Sequence, residues 1–129
     1  MFKASGAYSG FSVKDTEEAK KFYSEVLGLT VADGEMGLRL RLPGGATVFV
    51  YPKENHTPAT YTVLNLVVDD IDEALDALVE KGVKFEQYNM PDFEQDEKGI
   101  ARGLAANMRP DIAWFQDPSG NIFSILQEK

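Results

Sequence analysis

His56 is the only histidine among 129 residues, and there is no cysteine. That removes disulfides, thiolate metal sites and cysteine nucleophiles, and it leaves one imidazole for any site that would need several. His56 sits in a polar connection beside Glu54, where a solvated or interface histidine competes with a metal ligand or general base. No serine stands at recognisable triad spacing from a histidine and an acid, and no glycine-rich phosphate loop follows a strand. Asp92, Glu94 and Asp96 have the alternating spacing of a calcium loop. Glu97 then fills the sixth place, where glycine is needed, and Gly103 the twelfth, where glutamate is expected, so that reading fails.

The net charge of −8 argues against nucleic acid, because phosphate binding needs clustered Lys and Arg and these are thinly spread. A cationic or neutral small ligand fits the charge better, although acidity can also serve solubility alone. With 43% hydrophobic and 26% charged residues the composition is that of a globular protein. No apolar run approaches the ~20 residues of a membrane span, and the N-terminus lacks the charged-then-apolar layout of a signal peptide. A cytoplasmic protein with no membrane contact is the expectation.

The elements that must position any site come in two similar copies. Phe11 to Ala19, continuing to Gly28, is echoed about 55 residues later by Leu66 to Ala74, continuing to Gly82. Tyr8–Val13 reads as a strand, with Phe11 and Val13 alternating against Tyr8, Gly10 and Ser12. Asp15 caps the helix that follows, with Glu18 three residues on, and Ala19, Phe22, Tyr23, Val26 and Leu27 form its apolar stripe. Leu29–Ala32, Gly37–Leu42 and Ala46–Tyr51 read as three further strands, so the first module, about residues 1–55, is βαβββ. The second, about 59–129, opens with a strand over Tyr61–Val68, a helix capped by Asp70 and ending at Gly82, and a strand over Val83–Gln87. A long loop from Tyr88 to Pro110, with a strand somewhere after Gly99, precedes strands over Ile112–Phe115 and Ile122–Leu126 around the Asp117-Pro118-Ser119-Gly120 turn.

Phe22-Tyr23 followed by Leu27-Gly28, Val68-Asp69-Asp70, and Asp117-Pro118-Ser119-Gly120-Asn121, in that order on a doubled βαβββ frame, resemble the vicinal oxygen chelate superfamily of glyoxalases, bleomycin-resistance proteins, fosfomycin-resistance enzymes and extradiol dioxygenases. The resemblance implies an α+β fold of paired βαβββ modules whose curved sheets form a cleft, within a homodimer. It also implies where metal-using members place their ligands. Carried onto this chain, those places are Tyr8, seven residues before Asp15; Val63, seven before Asp70; Ser124, seven after Asp117; and one among Val48, Phe49, Val50 and Tyr51. None is a good ligand for a divalent ion in that setting, so no metal and no other cofactor is expected.

If strand alternation holds, Tyr8, Gly10 and Ser12 share a face with Val63, Asn65, Val67 and Ser124 and line the cleft. Asn65, between Leu64 and Leu66, must find partners, either in the neighbouring sheet or water or on a ligand. Trp114, Tyr51 and Tyr61 can stack on a planar ligand or belong to the core. Arg102 and Arg109 can clamp an anion at the rim or be ordinary surface arginines. The expected site is therefore Tyr8, Ser12, Tyr51, Val63, Asn65, Arg102, Trp114 and Ser124. The expected function is metal-free binding of a small organic molecule, such as a drug or antibiotic. The rival is a metal-dependent lyase, isomerase or dioxygenase of the same superfamily, and a regulatory subunit with an unused cleft is a third reading.

Overall fold

The computed structural model describes residues 1–88, 91, 94–105, 107 and 109–129, and the chain divides into two compact units, Met1–Pro58 and Ala59–Lys129.

In the first unit, β1 (Ser9–Val13), β2 (Thr30–Asp33), β3 (Leu38–Arg41) and β4 (Thr47–Pro52) form one mixed sheet in the order β1-β4-β3-β2. β1 runs parallel to β4 and the other pairs are antiparallel. Period-two alternation sends Phe11, Val13, Leu38, Leu40, Val48 and Val50 to the same side, and all six are buried. Ala19 and Tyr23 of the helical segment complete that core.

That segment is α1 (Thr16–Lys21), continued by a π-helical turn over Phe22–Val26 in which the Leu27 N–H donates to the Phe22 carbonyl at 3.1 Å. The apolar spacing foretells a helix but not its widening. Asp15 Oδ1 accepts from the Glu17 and Glu18 N–H groups, the N-cap expected from its position. Gly28, at φ 67°, ends the segment with the left-handed residue that a helix stop favours.

In the second unit, β5 (Thr62–Val67), β6 (Asp111–Gln116) and β7 (Ile122–Gln127) form a three-stranded sheet in the order β5-β7-β6, and β5 and β7 are parallel. Leu64, Phe115, Phe123 and Ile125 are buried, as are Ile71 and Leu75 of α2 (Ile71–Glu80). Asp70 caps α2 through the Glu73 N–H at 3.1 Å, and Gln127 Oε1 accepts from the Ile71 N–H at 3.0 Å, tying the helix start to β7. Asp117 builds the turn before β7. Its Oδ1 accepts from the Ser119 and Asn121 N–H groups and its Oδ2 from Asn121 Nδ2, at 2.8–3.0 Å.

The strand expected over Val83–Gln87 is absent. Phe85 makes one isolated bridge to Phe115, and the Glu86 N–H donates to the Trp114 carbonyl. The physical reason is the side chain of Gln95, whose amide donates to the Glu86 and Gly99 carbonyls while its oxygen accepts from the Tyr88 N–H. A carboxamide thus takes the place of a neighbouring peptide, and no ladder develops. The strand anticipated after Gly99 likewise reduces to bridges of Ala101 with Gln95 and Ile112. Of the calcium-like spacing, Asp92 falls outside the described residues; Asp96 Oδ1 closes a turn by accepting from the Lys98 and Ile100 N–H groups.

Candidate functional site

Each sheet packs one face on a helix and turns the other away from it, and the strand candidates other than Val63 sort onto those second faces. In the first unit, register places Gly10, Phe49 and Arg39 in one row, and Ser12 beside Tyr51 in the next. Tyr8, 68% exposed, meets Phe49 edge-on at 6.3 Å, and Phe49 stacks on Tyr51 at 5.7 Å with ring planes 21° apart. This aromatic run is continuous because Gly10 and Gly37 bring no side chain into it. A Cβ on Gly37 would lie 2.3 Å from the Val50 carbonyl oxygen and 3.2 Å from the Phe49 ring. Ser12 Oγ is hydrogen-bonded to His56 Nδ1 at 2.7 Å, so the lone histidine is tied to β1 although 44 residues separate the two. Alternation foretold the face shared by Tyr8 and Ser12. It missed Phe49, whose parity with Tyr51 was the available signal, and it missed the Ser12–His56 contact, which no spacing rule could have found.

In the second unit, Asn65, Ser124 and Trp114 occupy one cross-strand row. Ser124 is wholly buried and donates its hydroxyl to Asn65 Oδ1 at 2.5 Å, while Asn65 itself is exposed. Ser124 therefore supports the row from beneath, and Asn65 is the member with an accessible polar group. Trp114, 9% exposed, donates its Nε1–H to Thr62 Oγ1 at 3.1 Å and packs edge-on against Tyr88 at 5.5 Å. The Tyr88 hydroxyl is buried with no hydrogen-bond partner among the described residues, and burial, then the Glu86 charge, pushes its pKa up. Val63 stands at a register shift between Thr62 and Leu64, so strict alternation does not carry across it. Its neighbour Thr62 accepts the Trp114 Nε1–H.

Arg102 is not available as an anion clamp. It forms a two-pronged pair with Asp72 at 2.9 Å on both arms and also bonds Asp96, joining the 96–102 turn to α2. Lys98 adds contacts to Asp72 and Asp76. The Arg102 guanidinium and then the Lys98 ammonium hold the Asp72 carboxyl well below the usual carboxylate range. Burial pushes the Asp96 carboxyl up, but the Ile100 N–H, Arg102 and the Lys98 N–H outweigh it and bring it below its ordinary value. Arg109 packs across Gly103, where a Cβ would lie 2.2 Å from Arg109 Cγ.

At three of the places that the resemblance marks for metal ligands, Tyr8, Val63 and Ser124, the structure shows what each side chain offers. Tyr8 offers a phenol engaged with an aromatic ring, Val63 offers no donor, and the Ser124 hydroxyl is directed to Asn65. Among the described residues no three His, Cys, Asp or Glu gather as a group able to hold a metal ion. No helix among them is long and apolar enough to cross a membrane.

Two mixed sheets, each backed by a helix, with the Asp117 turn joining the last two strands of the second, are the architecture that the motif order implied. The model of the glyoxalase/bleomycin resistance protein/dioxygenase superfamily matches residues 7–125, and the chain belongs to that superfamily. Among solved structures it is similar to TnmS3, an antibiotic-binding protein from Streptomyces sp. CB03234, at 27% identity over 99% of this chain and 100% of that one, with a TM-score of 0.63. A superfamily member from Sphaerobacter thermophilus DSM 20745 is 27% identical over 95% of this chain and 98% of that one, with a TM-score of 0.64. The fosfomycin resistance protein FosX from Listeria monocytogenes, at 12% identity over 99% and 96% of the two chains and a TM-score of 0.68, shares the fold. No curated protein sequence matches the chain.

Proposed function

We propose that the protein binds a small, largely apolar organic molecule without a metal ion, as a homodimer in the cytoplasm, and that Tyr8, Ser12 and Tyr51 of the first unit contribute contacts. The observation that carries this reading is the aromatic run of exposed Tyr8, half-buried Phe49 and exposed Tyr51, bordered by the hydrogen-bonded Ser12 and His56. Exposed rings on a rigid sheet give a ligand apolar area with little ordering cost, and the hydroxyl and imidazole orient it. The similarity to an antibiotic-binding protein supports the same class of ligand. Against the metal-dependent alternative stands the chemistry of Tyr8, Val63 and Ser124, which offers no carboxylate or imidazole.

The test has two arms. Protein purified without chelator is analysed for metal, and stoichiometric zinc, nickel, iron or manganese would overturn the metal-free reading. A thermal-shift screen of drug-like organic compounds then follows unfolding through Trp114, the chain's only tryptophan. A true ligand at 100 times its dissociation constant adds about 2.7 kcal/mol, an easily read upward shift. Tyr51→Ala should abolish most of that shift while leaving the ligand-free midpoint nearly in place.

A further inference from the structure

The second face of the first sheet carries charge as well as aromatic surface. Register puts Arg39 in the row of Gly10, Phe49 and Ala32, and Arg41 in the adjacent row with Thr47 and Thr30. No position in either row is acidic. Both arginines are exposed, and neither makes an ion pair among the described residues, whereas Lys20, Lys98 and Arg102 all do. In a chain of net charge −8, carboxylates are plentiful, yet among the described residues none is paired with these two cations. A guanidinium is a planar fork of donors matched to a carboxylate, and here it stands next to a stacked aromatic pair.

We propose that this face recognises a planar aromatic carboxylate, with the rings of Phe49 and Tyr51 against its plane and Arg39, assisted by Arg41, on its anionic group. This narrows the ligand class of the small-molecule reading and rests on it. It also departs from what net charge alone suggests, because a contact at hydrogen-bond distance is screened less than the field of the distant acidic residues. The acidic surroundings then work as a filter. An anion without an aromatic plane meets repulsion and gains only one weak exposed pair, while an aromatic anion adds apolar burial to it.

The experiment compares 2-naphthoate with 2-naphthamide, which share the ring system and differ in charge, by calorimetric titration of the full chain at low salt. We expect naphthoate to bind about tenfold tighter than naphthamide. Arg39→Gln should bring the two within about twofold by weakening naphthoate alone, and Arg39→Lys should fall between. Raising salt to about 0.5 M should weaken naphthoate and spare naphthamide. Because Arg39 is an exposed strand residue, the variant should unfold at nearly the parent temperature, which separates recognition from folding. Equal affinity for the two compounds, or an Arg39→Gln variant that still prefers naphthoate tenfold, overturns the anion assignment and leaves small-molecule binding standing. The same holds if neither naphthalene binds while the compound screen yields another stabilising ligand. If neither binds and the screen is silent, both readings fall.

Discussion

Ser124, with no exposed surface, donates its hydroxyl hydrogen to Asn65 Oδ1 across 2.5 Å, so an exposed amide is held in place by a buried group on the neighbouring strand. The arrangement is asymmetric, because Asn65 can exchange this bond for water and Ser124 cannot.

Removing the partner should therefore cost more than removing Ser124. Asn65→Ala leaves a buried hydroxyl unsatisfied and should lose about 1–3 kcal/mol in urea unfolding, well above a typical surface substitution. Ser124→Ala should lose less, and the double variant should recover part of the Asn65→Ala loss. Additive losses would show that the bond does not govern the pair.

The Arg102–Asp72 pair predicts a pH dependence. Arg102, then Lys98, lowers the Asp72 carboxyl in the folded state relative to an unfolded value of about 3.9. The unfolded chain then binds the proton first. The pair's stabilisation is complete above about pH 4–5 and is lost as pH falls through the folded value. Arg102→Ala should flatten the fall in stability between about pH 5 and pH 3. With Arg102 and Asp72 side chains 38% and 46% exposed, the loss at neutral pH should stay under about 1 kcal/mol and shrink with salt.

Gln95 should act as a structural element in its own right. Gln95→Ala removes the acceptor of the Tyr88 N–H and the donors to Glu86 and Gly99. Amide exchange at Tyr88 should accelerate about tenfold or more, the equivalent of ~1.4 kcal/mol, while the amides of β7 keep their protection. Unchanged exchange at Tyr88 would refute the role.

Asp117 should be among the most sensitive positions. Its buried carboxylate accepts three hydrogen bonds within four residues, so Asp117→Ala should cost on the order of 3 kcal/mol by chemical denaturation. Asp117→Asn, which preserves shape and an acceptor oxygen, should cost less.

Local signals carried most of the fold. Caps such as Asp15 and Asp70 act within one turn, and alternation in β1 and β4 is enforced by burial of one face, so both could be read from a single chain. What escaped were contacts that only tertiary structure creates. Gln95 quenches a strand whose own pattern is sound, and Ser12 meets His56 across 44 residues. Arg102 was expected at a ligand because its type suits anions; the structure gives it carboxylates of the same chain. Arg39 passed unremarked because a sequence does not display that, among the described residues, no carboxylate pairs with it.

The side-chain pairing by Gln95 bears on self-association. A sheet edge with free peptide groups is a template onto which another copy can add a strand, the first step of many aggregates. Beyond β6 the three-stranded sheet does not end in such an edge. Ala101 exchanges two hydrogen bonds with Ile112, the Glu86 N–H donates to the Trp114 carbonyl, and beyond Glu86 a carboxamide occupies the Glu86 carbonyl and the Tyr88 N–H, groups a newcomer would need. Gln95 thus makes the stretch of that border around Glu86 a poor template, and its loss would expose the protein to misassembly as well as to local opening.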